Sequence, residues 1–204
     1  NGKPFCEILD SYNIKKSTDD LPLRLPIQDI YKIDDKRVIV GRIETGELKL
    51  NDELFFLPSS EVVKLKSFEA WPKEKEKYVS GDNVGLTIED QIFIDKGNLI
   101  SHVISRPKLM NTFEASLFWL SEKELEIDKQ YFMKINTGEY NIFISKISKV
   151  IDTNNLSSKT SSLSPEKNDV CEVVIHSSQL IPMDDFKDNQ KTGRFCILDE
   201  EKII

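Results

Sequence analysis

The sequence predicts an all-β chain in two consecutive units of barrel or sandwich type, preceded by one short helix. Three observations predict it: short runs rich in β-branched and aromatic residues, period-two alternation within them, and a turn signal every ten or so residues. The helix comes first. Over residues 4–12, Phe5, Ile8, Leu9 and Tyr12 recur at helical spacing, and Pro4 suits the first turn because its missing N–H would have no partner there. Asn13 to Asp20 is polar and without a hydrophobic period, and reads as a linker.

From Leu21 onward the pattern is that of strands. Arg24 to Tyr31 begins one, with Pro26 near its start, where a lost donor is tolerated. Arg37 to Glu44 follows, and Thr45-Gly46 and Asn51-Asp52 supply turn chemistry. Glu53 to Leu57 is a short apolar strand stopped by Pro58-Ser59-Ser60. Val62 to Phe68 alternates, placing Val63, Leu65 and Ser67 on one face and Val62, Lys64, Lys66 and Phe68 on the other. Gly81-Asp82-Asn83 turns into Val84 to Ile88. The second half continues in strands, with runs at Thr112 to Leu120 and Gln130 to Ile135, a long alternating stretch from Asn141 to Ile151, then Val170 to Ile175 and Gly193 to Leu198. Asn154 to Asn168, rich in Ser, Lys and Asn, reads as an exposed loop. The boundary between units falls near Arg106-Pro107-Lys108, and no tandem repeat is visible.

Composition narrows the function classes. A chain of 204 residues holds one large or two modest domains, and 39% hydrophobic content suffices for a core. No apolar run approaches the ~20 residues that span a bilayer, and the start does not read as a signal peptide. The opening Asn1 to Phe5 lacks an initiator Met and reads as the beginning of an excised piece. Cys6, Cys171 and Cys196 form neither a metal-type pair nor a disulfide framework, which points to buried reduced thiols in a cytoplasmic protein. The net charge of −7 is spread evenly: residues 1–107 carry 16 basic against 19 acidic side chains, and residues 108–204 carry 12 against 16. Neither half has the basic excess that neutralises phosphates, so dedicated nucleic-acid binding is disfavoured and a protein partner is the easier reading.

Catalytic motifs are not found. There is no Gly-rich phosphate loop with its Lys, and His102 and His176 lie far apart with no partner suggested by spacing. Asp19-Asp20, Asp34-Asp35 and Asp184-Asp185 read as solvated turns, because a metal cage needs convergent oxygens that dipeptides do not supply alone. Phe55-Phe56 and Phe118-Trp119 each read as one core residue beside one outward residue available to an interface. The alternating run Lys73-Glu74-Lys75-Glu76-Lys77 reads as a solvated loop or a charged edge that resists strand-to-strand aggregation.

Two segments carry a family resemblance. Gly41-Arg42-Ile43-Glu44-Thr45-Gly46-Glu47-Leu48-Lys49 and Ser80-Gly81-Asp82-Asn83-Val84-Gly85-Leu86 look like the second domain of translation-factor GTPases related to elongation factor Tu. Ile94 to Ile100 is similar to that barrel's closing strand region. Within the superfamily, Leu23-Arg24-Leu25-Pro26-Ile27-Gln28, Phe113 to Glu122, Tyr131 to Ile135, Val150 to Leu156 and Thr192 to Asp199 resemble the GTPase subunit of bacterial sulfate adenylyltransferase. Gly2 to Leu9 resembles the last helix of its GTP-binding domain. Asn51, Glu124 and Asn155 depart from that family's usual Gly, Pro and Thr, and Ile204 falls before the Gly-containing strand that finishes its third domain.

The resemblance implies two consecutive translation-factor-type β-barrels. Residues 1–20 would end a GTP-binding domain and its linker, 21–107 would form the second-domain barrel, and 108–204 a truncated third-domain barrel. It implies no catalytic residue, cofactor or metal site here, with GTP and Mg held in another domain of an enzymatic parent. That parent would couple GTP hydrolysis to synthesis of adenylyl sulfate from ATP and sulfate. The barrels would dock the catalytic subunit and the parent's own GTP-binding domain, with no membrane role. Arg42 and Glu44, beside the first turn, are the expected partner or interdomain contacts, against an ordinary surface salt bridge. A translation factor whose barrels hold aminoacyl-tRNA or face the ribosome is the alternative reading, and an unrelated β-barrel binding module a third.

Overall fold

A computed structural model describes residues 2–11, 18–69, 75–153, 157–158, 164–199 and 202–203. Tyr12 and Asn13 to Ser17 of the expected helix end and linker, Lys73 and Glu74, Asn154-Asn155-Leu156 and Ile204 lie outside the described residues. Helix α1 spans Phe5–Asp10 after Pro4, whose carbonyl accepts from Ile8 N–H at 3.1 Å. None of its residues is buried.

The first unit contains strands β1 (Leu25–Ile33), β2 (Lys36–Arg42), β3 (Glu47–Lys49), β4 (Glu53–Leu57), β5 (Glu61–Phe68), β6 (Lys77–Val79), β7 (Asn83–Ile88) and β8 (Leu99–His102). Six of them close into a barrel in the order β1-β2-β7-β5-β4-β8, while β3 and β6 form a separate ribbon. Closure depends on β1 serving two neighbours. Leu25 pairs with Ile100 of β8, and from Ile27 onward the strand pairs with β2 through an irregularity between Ile27 and Asp29, Ile27 opposite Gly41 and Ile30 opposite Ile39. Inward-facing Leu25, Ile27, Ile39, Leu54, Phe56, Leu65 and Leu86 fill the interior.

One reading of this unit needs correction. Phe68 does not share the outward face of Lys64 and Lys66. A bulge between Leu65 and Ser67 resets the alternation, and the Phe68 ring packs 4.6 Å from that of Tyr78 against the core. Of the alternatives for the Lys-Glu run, Lys77 takes the charged edge: it is exposed on β6 of the two-stranded ribbon, where the Glu47 carboxylate takes hydrogen bonds from both Lys49 and Lys77. Those hydrogen bonds, that of Lys49 first, hold the Glu47 carboxyl down at about 2.

The second unit contains β9 (Lys108–Phe118), β10 (Gln130–Ile135), β11 (Gly138–Asp152), β12 (Ser157–Ser158), β13 (Val170–Met183), β14 (Phe195–Asp199) and β15 (Lys202–Ile203). Their order is β15-β14-β10-β11-β13-β9, with β12 attached to β11. The long β11 does not alternate strictly as the sequence reading has it. Bulges after Ile144 and Ile147 each add a residue, so the buried set runs Ile142, Ile144, Ile147, Val150. β13 extends beyond Ile175: after an irregularity between His176 and Ile181 it resumes against β9 and buries Ile181 and Met183. Together with Trp119, Tyr131, Met133 and Val173 these residues make a second core. Phe118 and Trp119 divide as expected, 53% and 1% exposed. Phe55 and Phe56 do not, because Phe55 is covered by the Arg106 guanidinium, 4.1 Å from its ring centroid, in the segment joining the two units.

The thiols also depart from the expectation of three buried groups. Only Cys171 is buried; Cys6 and Cys196 are exposed. Burial, then the Asp169 carboxylate, pushes the Cys171 thiol up to about 11. Alkylation of the native protein at about pH 8 is therefore expected to modify Cys6 and Cys196 and spare Cys171, which reacts only in denaturant. Peptide mass mapping reads this directly, and native modification of Cys171 would contradict the packing of the second core.

Candidate functional site

The two units are joined by a buried ion pair that begins in sequence with a charged residue in an apolar run. Leu23 and Leu25 face the first core at 1% and 0% exposure, so Arg24 between them points out of the barrel toward the second unit. Its Nε and Nη2 donate to the two carboxylate oxygens of Asp184 at 2.7 and 2.8 Å, a two-pronged match of planar groups. Nη1 donates to the carbonyls of Leu23 and Ser105 at 2.7 and 2.8 Å. Thr192 Oγ1 donates to Asp184 at 2.5 Å from the same loop. The pair is buried, with side-chain exposures of 5% and 11%. Asp184 is thus no solvated turn residue: the loop carrying it is pressed against the first barrel.

Further bonds cross the same junction. Asn189 Nδ2 donates to Thr45 Oγ1 at 3.1 Å, and Thr137 Oγ1 donates to the Ile27 carbonyl at 2.7 Å. Lys191 stands 3.5 Å from Glu44. Gly97, at φ +92°, lies so near the second unit that a Cβ on it would sit 2.9 Å from Gly138 Cα.

Above this junction lies a cleft of about 1370 Å³ with one wall from each unit. Both residues expected as contacts line it. Glu44 is held there by its backbone carbonyl, which accepts from Ser80 Oγ at 2.8 Å, and its carboxylate reaches Lys191 across the junction. Arg42, at the end of β2, is exposed beside Gly81. A second groove of about 950 Å³ follows β9 and β14 and is lined by Met110, Phe113, Leu117, Met183, Phe195 and Ile197. The histidines lie on separate units: His102 Nε2 is 3.1 Å from Asp52, and His176 Nδ1 is 2.8 Å from Thr112 Oγ1. Among the described residues no three His, Cys, Asp or Glu side chains are grouped to hold a metal. The cleft presents recognition chemistry: cations, amides and hydroxyls on a fixed frame.

Sequence reasoning names Arg42 and Glu44, which line the cleft, and does not single out the junction residues Arg24, Asp184, Asn189 and Thr137. One signal is available. An Arg flanked on both sides by Leu in a strand demands a buried acceptor, although not which of the many carboxylates supplies it.

Removing either partner leaves a buried charge uncompensated. Arg24→Met or Asp184→Leu is expected to cost about 3–5 kcal/mol, and the double variant distinctly less than the sum. Urea unfolding of the four proteins checks this; additive losses would show that the pair is not coupled.

The comparisons with known proteins agree with this architecture. The family described as GTP-eEF1A C-terminal domain-like matches residues 112–204. Sulfate adenylyltransferase subunit 1 of Alteromonas mediterranea is 28% identical over 200 residues, which is 98% of this chain and 42% of that protein. The subunit of the same name from Saccharophagus degradans is 28% identical over 199 residues, and that from Bacteroides fragilis 26% over 200, each covering 97% of this chain and 42% of the relative. The chain therefore spans about 42% of the length of these curated relatives. In structure, Sup35 complexed with GDP superimposes over 100% of this chain and 50% of its own, with a TM-score of 0.82 at 22% identity. Its complex with GMPPNP gives 0.81 at 20% identity, with the same coverage of both chains. The chain has the all-β fold of the translation-factor barrels, residues 112–204 match the GTP-eEF1A C-terminal domain-like family, and nearly its whole length is similar to sulfate adenylyltransferase subunit 1.

Proposed function

We propose that these barrels are the non-catalytic docking and lever module of a GTPase subunit that couples GTP hydrolysis to formation of adenylyl sulfate from ATP and sulfate in the cytoplasm. The observation that carries this reading is the similarity to sulfate adenylyltransferase subunit 1 across 97–98% of the chain, through both units and the loop bearing Asp184. GTP and Mg belong to another domain of the parent, and the partners are that domain and the catalytic subunit. Coupling of this kind requires two arrangements of the barrels relative to the nucleotide domain, with different contacts in each. A lever transmits such a change only if it does not bend at its middle. The Arg24–Asp184 junction gives the pair of units that stiffness.

The match to the eEF1A C-terminal domain family supports a second reading, barrels of a translation GTPase that hold aminoacyl-tRNA or face the ribosome. The net charge of −7 argues against it, because tRNA binding gains most of its affinity from neutralised phosphates. Calorimetric titration with the sulfate adenylyltransferase catalytic subunit, with aminoacyl-tRNA in parallel, separates the two. Saturable binding to the subunit and none to tRNA at about 0.15 M salt is the expected result. Binding to tRNA alone, weakening steeply as salt rises, would overturn the first reading in favour of the second.

A further inference from the structure

The cleft between the two units reverses the charge of the chain around it. Its lining holds five cations, Arg42, Lys134, Lys187, Lys191 and Arg194, in a protein of net charge −7. Two carboxylates, Glu44 and Asp188, oppose them there. Glu44 is already engaged by Lys191 at 3.5 Å, and Lys134 stands 3.3 Å from Glu139. Among the described residues, Arg42 and Lys187 have no carboxylate partner, and Arg194 has only the face of the Phe186 ring, 5.7 Å from its centroid. Three cationic residues without an intramolecular counterion among the described residues therefore line one cleft, and Lys187 and Arg194 border the neighbouring β9–β14 groove as well, where Phe186 lies.

Arg42 stands on one wall and Lys187 and Arg194 on the other, and the walls are fixed to each other by the buried Arg24–Asp184 pair and the Asn189–Thr45 bond. A rigid frame spares a complementary surface the cost of arranging the two walls, leaving only the ordering of the exposed side chains themselves. Gly81, at φ +95° and lined up beside Arg42, leaves room for a ligand to approach the backbone, since a Cβ there would meet only Arg42 Nη2 at 3.9 Å.

We infer that this cleft docks an acidic stretch of a partner protein, its carboxylates seated between Arg42 and the Lys187–Arg194 wall. A protein fits better than a nucleic acid. The one aromatic ring in the lining, Phe195, is half-buried and packed edge-on against Phe113 at 6.1 Å. No free ring is offered for base stacking, whereas the amides of Asn83, Asn136 and Gln190 suit peptide groups. This rests on the docking reading above and specifies where docking occurs.

The test is an amide chemical-shift titration of the chain with a short poly-glutamate peptide, run beside single-stranded oligothymidylate of equal charge. The peptide is expected to perturb Arg42, Gly81 and Asn83 on one wall and residues 187–194 on the other. Arg42→Glu combined with Arg194→Glu is expected to weaken it at least about tenfold, with amide dispersion retained, while Lys32→Glu, an exposed strand change outside the lining, leaves the affinity unchanged. Perturbations confined to other faces, or an affinity indifferent to the reversals, would overturn the assignment. Tighter binding of oligothymidylate to the same amides would overturn it in favour of nucleic acid. If the catalytic subunit binds the doubly reversed chain undiminished, the cleft assignment falls and the docking reading stands. If the peptide takes the cleft and the catalytic subunit does not bind, the outcome is the opposite.

Discussion

A guanidinium buried between two β-units sets the terms for the rest of the molecule. Arg24 gives up its hydration on folding, a cost of several kcal/mol that only full replacement of its hydrogen bonds offsets. The replacement is nearly complete, since four of the five N–H donors are taken, two by Asp184 and two by the Leu23 and Ser105 carbonyls. Such a set is satisfied in one relative placement of the units, because a small slip would leave several donors facing nothing. The buried pair is thus better understood as a device that fixes orientation than as a source of net stability. Everything that straddles the junction inherits that orientation, including the pairing of Lys191 with Glu44 and the two walls of the cleft.

How much of this is legible in the sequence differs by scale. The all-β architecture is open to reading because alternation and turn chemistry are local, and the first barrel's strands fall close to the runs that suggest them. What stays hidden are the places where alternation changes phase. The bulges at Ser67 and along β11 add single residues that period-two reading assigns to the wrong face, which is why Phe68 reads as outward. The short ribbon of β3 and β6 escapes because charge alternation outweighs its one buried pair, Leu48 opposite Tyr78.

At the site, Arg42 and Glu44 are within reach because they flank a recognisable turn, whereas Asp184 is not. A carboxylate in a loop looks the same in sequence whether it meets water or a buried arginine 160 positions away. Only the topology that folds the loop between β13 and β14 back on the first barrel distinguishes the two. The same non-locality explains why a uniformly acidic composition gives no warning of a basic cleft. Its cations come from both units, and no sequence window gathers them.

The close approach of Gly97 to Gly138 bears on how such a cleft is calibrated. At that end the spacing of the walls leaves no room for a Cβ on Gly97, which would sit 2.9 Å from Gly138 Cα. A methyl group introduced at Gly97 would act as a shim: the units would have to pivot about the Arg24–Asp184 pair to admit it. The gauge of the cleft thus hangs on a single absent methyl, at a point next in sequence to Asn136 and Thr137 of its lining.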